Sequence, residues 1–105
     1  MQFTSYLQEG SLTVALSGEI DHHRAKDCIY AIMSKIEAYA PTFCVLDFQD
    51  VNFMDSSGIA VVINTMRSMS QLGGKVALSG LKEQPLKVFR TAGIDKLVEI
   101  KEEIG

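Results

Sequence analysis

The residues with the clearest chemical potential are Asp55, Ser56, Ser57 and Gly58, which directly precede a stretch of helical periodicity. Aspartate is a favoured N-cap residue, so the two serines and the glycine are predicted to occupy the first helical turn. Backbone N–H groups are unpaired in that turn, and the helix dipole favours negative charge there. A phosphoryl group at this position would therefore meet little electrostatic cost.

Ser56 has two interpretations that the residues alone leave open. As a phosphate acceptor it would gain nearly two negative charges beside Asp55 and close to other acidic residues. As an ordinary small polar residue it would simply suit the first turn of a helix. Ser57 points about 100° around the helix from Ser56, so one surface would not expose both equally. Gly58 weakens the helix by about 1 kcal/mol relative to alanine, which either a close partner backbone or a plain turn would explain.

A second polar group, Asp21-His22-His23, precedes an earlier helical pattern. Asp21 is predicted to cap that helix and to present its second carboxylate oxygen to an arginine of a partner. Adjacent histidines diverge on a helix, whereas metal-binding pairs are three or four residues apart. We therefore expect no metal at His22 and His23. The chain also lacks a phosphate loop and a dinucleotide fingerprint, so we expect no cofactor.

Hydrophobic patterning predicts an α/β fold, in which helices pack on a mixed sheet of four to five strands. The predicted elements are a hairpin of strands 3–8 and 12–17, a helix from 21 to about 39, a strand 43–48, a helix from 55 to 73, a strand 75–79, a helix from 85 to 93, a final strand 97–100 and a loose acidic end 101–105. After the hairpin the strands are expected to run parallel, because helices connect them. The loops 18–24 and 50–58 should then meet at the carboxyl edge of the sheet, where such folds carry function.

The same patterns predict where individual side chains lie. Cys28 and Cys44 occur in apolar segments and are expected to be buried free thiols. The five methionines are expected mainly to fill the core, while Met54 and Met69, which fall off the main stripe of the second helix near the site, have adaptable contact surface as an alternative role. The inward-facing residues are predicted to be Ala25, Cys28, Ile29, Ile32 and Ile36 in the first helix, Ile59, Val62, Ile63 and Met66 in the second, and Leu86, Phe89 and Ala92 in the third.

Composition limits the class of protein. A chain of 105 residues suits a single domain spanning residues 1–105, and its 47% hydrophobic and 22% charged residues are those of a globular protein. A net charge of −3 argues against direct nucleic-acid binding, which needs a basic surface. No apolar run approaches the roughly 20 residues of a membrane span, and the N-terminus does not resemble a signal peptide. We expect a cytoplasmic protein.

Four segments, in this order along the chain, resemble the anti-sigma factor antagonist family, whose members are STAS domains. The segments are Gly18-Glu19-Ile20-Asp21-His22-His23, Val51-Asn52-Phe53-Met54-Asp55-Ser56-Ser57-Gly58, Gly73-Gly74-Lys75-Val76 and Phe89-Arg90-Thr91-Ala92-Gly93-Ile94. The first segment is more similar to sporulation members of the family than to the STAS tails of transporters. The Asp-Ser-Ser-Gly block is the specific motif, and the other segments would be weak on their own.

This resemblance implies a binding module switched by phosphorylation rather than an enzyme. In that family the unphosphorylated protein binds an anti-sigma factor that is also a serine kinase, with its bound ADP or ATP, and so releases a sigma factor. Phosphorylation of the first serine of the motif, which matches Ser56, ends the binding, and a serine phosphatase restores it. The acidic residue that matches Asp21 contributes to partner binding, and Asp55, Ser57 and Gly58 complete the expected contact surface.

Two other classes of protein provide alternatives. A small serine hydrolase would use Ser56 or Ser57 with Asp21 and a neighbouring histidine, but the glycine required two residues before the nucleophile is missing. A receiver domain would be phosphorylated on Asp47, which lies at the end of a strand. It needs a cluster of carboxylates for Mg²⁺, and only Glu9-Gly10 follows the first strand.

Overall fold

The alternating pattern of apolar residues folds into a five-stranded sheet with its helices packed on one face. The computed structural model describes residues 1–101. Its elements are β1 (Gln2–Gln8), β2 (Ser11–Ser17), α1 (His22–Tyr39), β3 (Phe43–Asp50), α2 (Ser57–Gln71), β4 (Lys75–Ser79), α3 (Glu83–Thr91), a 3₁₀ turn (Ile94–Lys96) and β5 (Glu99–Lys101). The strand order is β1-β2-β3-β4-β5, antiparallel between β1 and β2 and parallel elsewhere. The predicted mixed α/β sheet is confirmed.

The core lies between the sheet and the helices. Alternate residues of β2 and β3 are buried there: Leu12, Val14, Leu16, Cys44, Leu46 and Phe48. Four of the five residues predicted for the first helix are buried, and Ile29 packs at the margin of the core. The ring of Phe89 in α3 meets the ring of Phe48 edge to face, with centroids 5.5 Å apart. This aromatic contact fixes α3 against the end of β3.

The second helix is rotated relative to the prediction. Its buried residues are Gly58, Val61, Val62, Thr65 and Met69, whereas Ile59, Ile63 and Met66 are half-buried. The difference arises because α2 contacts α1 as well as the sheet, which widens the face that it buries. Thr65 is the polar residue in this buried face. Its hydroxyl donates a hydrogen bond to the Val61 carbonyl at 2.8 Å, which satisfies it in the core.

Other predictions at the level of single residues were confirmed only in part. Met54 and Met69 are fully buried, which agrees with the core role expected of the methionines and excludes the alternative of contact surface. In α3, Pro85 is the third helical residue rather than the first, which is tolerated because an N–H in the first turn has no helical partner. Ala92 follows the helix and is exposed. The predicted strand 97–100 forms as β5 at Glu99–Lys101. The predicted loose end lies outside the described residues from position 102 onward.

No helix among residues 1–101 has both the length and the apolar character needed to cross a membrane. Cys28 and Cys44 are both buried and free, as predicted.

We predict that both thiols resist alkylation in the folded protein. Burial raises the pKa of Cys28 and of Cys44 from 9.0 to about 12, which lowers the thiolate fraction about a thousandfold. Iodoacetamide at pH 8 should leave the native protein unmodified and label two cysteines once denaturant unfolds the chain. Rapid labelling of either cysteine in the native state would contradict the packing described here.

Candidate functional site

Two loops are joined by backbone hydrogen bonds at the carboxyl edge of the sheet, as the topology predicted. One follows β2 and contains Ile20, and the other, residues 51–56, is called the Ser56 loop. The N–H of Ile20 donates to the Phe53 carbonyl at 3.1 Å, and the N–H of Asp55 donates to the Ile20 carbonyl at 3.0 Å. These bonds make a short parallel bridge between Ile20 and Met54. The bridge brings Asp21 and the Ser56 loop to the same edge.

Asp21 caps α1, but its second oxygen is not free. Oδ1 accepts the backbone N–H of Arg24 at 2.8 Å, and Oδ2 lies 3.3 Å from the guanidinium Nη1 of the same residue. An arginine of a partner would therefore have to share this carboxylate with Arg24 or displace Arg24 from it. The hydrogen bond from Arg24 lowers the pKa of Asp21 below 3.8. The cap thus stabilises the fold above that pH and is lost as the pH falls through the lowered pKa.

The two serines at the start of α2 lie in different environments. Oδ1 of Asp55 accepts the Ser57 N–H at 2.8 Å, so Asp55 supplies the predicted side-chain cap although the helix itself begins at Ser57. Ser57 is half-buried. Ser56 lies just before the helix, is exposed, and makes no capping hydrogen bond with its side chain. Its hydroxyl is the more accessible of the two for chemistry.

A contact inside the protein explains why residue 58 is glycine. It is buried, and a Cβ built on it would lie 2.6 Å from Sδ and 2.8 Å from Cε of Met54. Since the Met54 side chain is fully buried, it has little room to move away. Glycine at position 58 thus leaves the space that the Met54 side chain fills in the core.

A double-mutant cycle tests this contact. Gly58→Ala should lower the free energy of unfolding by about 1–3 kcal/mol, because the added methyl group overpacks the core against Met54. In a Met54→Ala background the same change should be neutral or stabilising, because alanine is the better helix former by about 1 kcal/mol. Denaturant unfolding of the four proteins gives the coupling energy. An equal cost in both backgrounds would show that Met54 does not explain the glycine.

The sequence reasoning missed a shallow groove beside Ser56. This α2–α3 groove has a volume of about 370 Å³, and its lining residues are Ser56, Ile59, Gln84, Lys87, Val88, Thr91 and Ala92. No sequence pattern placed α3 beside the Ser56 loop, although the stripe of α3 indicated a packed helix. Two larger grooves, of about 630 and 500 Å³, are lined by none of the predicted site residues. The α2–α3 groove is therefore the one that belongs to this site.

The geometry argues against both alternatives, the serine hydrolase and the receiver domain. Both oxygens of the Asp21 carboxylate contact Arg24, and no hydrogen bond joins this carboxylate to an imidazole ring within residues 1–101. The rings of His22 and His23 face each other edge-on at 5.8 Å between centroids. Oδ1 of Asp47 accepts the N–H of Gln49 at 2.9 Å. Within residues 1–101, no three His, Cys, Asp or Glu side chains come together in a way that could hold a metal ion. A catalytic triad and an acidic receiver pocket are therefore not assembled from the described residues.

The sequence matches the STAS domain family over residues 2–105. It is 30% identical over 91 residues to the anti-sigma F factor antagonist of Paenibacillus polymyxa, which covers 87% of this chain and 78% of that protein. The fold superposes on the unphosphorylated anti-sigma factor antagonist SpoIIAA with a TM-score of 0.83 at 26% identity, covering 97% of this chain and 88% of that one. For phosphorylated SpoIIAA of Bacillus the TM-score is 0.75 at 26% identity, with 97% and 91% covered. The chain therefore belongs to the STAS domain family and, within it, to the anti-sigma factor antagonists.

Proposed function

We propose that this protein is an anti-anti-sigma factor switched by phosphorylation of Ser56. In the unphosphorylated form it binds an anti-sigma factor that is also a serine kinase, and so releases a sigma factor. Phosphate on Ser56 ends the binding, and a serine phosphatase restores it. The observation that carries this proposal is that Ser56 is exposed. It lies in a loop held by backbone hydrogen bonds, at the same carboxyl edge of the sheet as Asp21.

The proposed switch is electrostatic and needs no refolding. Phosphoserine carries about −1.5 to −2 charges at pH 7. Asp55 is its immediate neighbour, and Lys87, which lines the same groove, carries a single positive charge that can offset the added charge only in part. A partner that covers Ser56 would have to desolvate the phosphate or repel it, and either outcome weakens binding.

The α2–α3 groove would supply the apolar part of the partner surface. Ile59 and Val88 line it next to Ser56 and are half-buried. An aliphatic side chain of the anti-sigma factor inserted there would gain burial, whereas a phosphate at the mouth of the groove would bring charge into that contact. Asp21, Asp55, Ser57 and Gly58 complete the proposed surface, with Asp55 and Gly58 acting through the shape of the loop.

Residues 1–105 act as one domain in the cytoplasm and have no enzymatic activity of their own. The kinase partner brings the ADP or ATP, and this chain contributes the serine. The overall charge of −3 is consistent with a protein partner rather than nucleic acid.

A charge placed at Ser56 should mimic the switched-off state. We expect Ser56→Asp to weaken binding to the anti-sigma factor at least tenfold, because a charged group in the contact must be desolvated. Ser70→Asp is the matched control, since Ser70 is exposed near the other end of α2. Isothermal titration calorimetry measures both affinities. If the two variants bind equally well, the electrostatic switch is wrong.

Removal of the hydroxyl should separate binding from switching. Ser56→Ala should keep its affinity within about threefold, because it adds neither charge nor bulk to the contact. It should not incorporate phosphate when incubated with the anti-sigma kinase and ATP. Radiolabelled phosphate transfer with Ser57→Ala as the control distinguishes the two hydroxyls, and transfer that survives Ser56→Ala would move the site elsewhere.

A further inference from the structure

The Ser56 loop follows β3, and Met54 forms an extra strand position beyond the end of that strand. In an extended segment, successive backbone groups point to opposite sides. The Phe53 carbonyl and the Asp55 N–H point towards Ile20 and bond to it. The N–H and carbonyl of Met54 point to the other side, where β4 has already ended at Ser79. A neighbouring strand is therefore not available to pair with Met54.

The side chain of Gln84 takes the place of that strand. Its Oε1 accepts the N–H of Met54 at 2.9 Å, and its Nε2 donates to the carbonyl of Met54 at 2.8 Å. A primary amide offers one acceptor and two donors in a plane, so it can reproduce the pair of bonds that a strand residue would make. Both contacts are partly buried, which reduces competition from water.

Gln84 is itself held in position by α3. It lies in the first turn of that helix, and Phe89, one helical turn and a half further on, packs against Phe48 of β3. Beside it, Nζ of Lys82 donates to Oδ1 of Asn52 at 2.6 Å, which adds a second tie between α3 and the loop. The two hydrogen bonds between Gln84 and Met54 are called the clamp. Because Gln84 belongs to a packed helix, the clamp is part of a rigid element rather than a mobile surface contact.

We propose that Gln84 is the positioning residue of the phosphorylation site. By pairing both backbone groups of Met54, it holds the next two residues, Asp55 and Ser56, in the geometry that a partner meets. The role is separate from the core packing of Met54, which involves its side chain and Gly58. This proposal rests on the proposed function only for its consequence in binding; the clamp itself can be tested without any partner.

Residue-resolved amide hydrogen exchange tests the clamp on the isolated protein. Gln84→Met keeps the length of the side chain but removes both hydrogen bonds, so the Met54 amide should exchange about tenfold faster or more. Glu83→Met is the matched control, because Glu83 is the exposed neighbour in the same helical turn. Amides of β2 and β3, which report global opening, should change equally little in both variants. Unchanged exchange at Met54 in Gln84→Met would overturn the proposal.

A conservative substitution provides a rescue. Gln84→Glu keeps an acceptor oxygen but, when ionised, offers no donor to the Met54 carbonyl. Below about pH 4 the carboxyl group of this variant protonates and regains an O–H donor. Since the carboxylate still accepts the Met54 N–H, the Met54 amide should exchange more slowly in Gln84→Glu than in Gln84→Met, and protonation should bring the rate, corrected for the intrinsic effect of pH, closer to that of the native protein. Equal Met54 exchange rates in Gln84→Glu and Gln84→Met would contradict a hydrogen-bonded clamp.

Phosphorylation kinetics test the consequence for function. With an anti-sigma kinase and ATP, Gln84→Met should lower kcat/KM for Ser56 at least tenfold, whereas Glu83→Met should leave it within about twofold. Faster exchange at Met54 with unchanged kcat/KM would overturn the positioning role while leaving the clamp in place. If wild-type protein accepts no phosphate at all, the proposed function fails, and the exchange experiment still decides the clamp.

Discussion

The site depends on the backbone pairing between Ile20 and the Ser56 loop. Two hydrogen bonds, from Ile20 to Phe53 and from Asp55 to Ile20, extend the parallel pairing of the sheet beyond the regular strands. They bring together two loops that lie more than 30 residues apart in the chain. Because these bonds use the main chain, the Asp21 side chain can cap α1 and the Ser56 side chain stays exposed at the same edge, while Met54 is directed into the core.

The backbone of the Ser56 loop is held rigidly, whereas Ser56 itself is exposed. This combination suits a switch that acts by charge. The Ser56 loop is anchored by the Met54 side chain in the space left by Gly58, and by the Asp55 cap at the start of α2. The phosphorylation proposed for Ser56 would then change the chemistry of the surface without a need to rebuild the fold. The close superposition on both the unphosphorylated and the phosphorylated SpoIIAA is compatible with this view, at TM-scores of 0.83 and 0.75.

The elements that could be predicted from the sequence are those with local causes. Period-two and helical patterns gave the hairpin, the parallel strands and the buried face of α1, and Asp21 was identified as a cap from its position alone. Gly93 ends α3 in the left-handed region at φ 77°, as a glycine after a helix should. These features depend on residues a few positions apart, so the sequence contains nearly all of the relevant information.

The features that could not be predicted have distant causes. The rotation of α2 depends on its contact with α1, and the space that Met54 fills depends on a glycine that itself looked like an ordinary turn residue. The α2–α3 groove depends on where α3 lies, and that helix is held in part by the contact of Phe89 with the distant Phe48. Gln84 is 30 positions from Met54, and in the sequence it is simply a polar residue in the first turn of a helix.

The most direct measurement is fragment mass spectrometry of the protein after incubation with a purified anti-sigma serine kinase and ATP. The account predicts a single phosphate, located on Ser56, because that hydroxyl is exposed whereas Ser57 is half-buried with its backbone N–H capped by Asp55. A phosphate on Ser57 or on an aspartate, or no phosphate at all, would contradict the central claim and leave only the STAS fold.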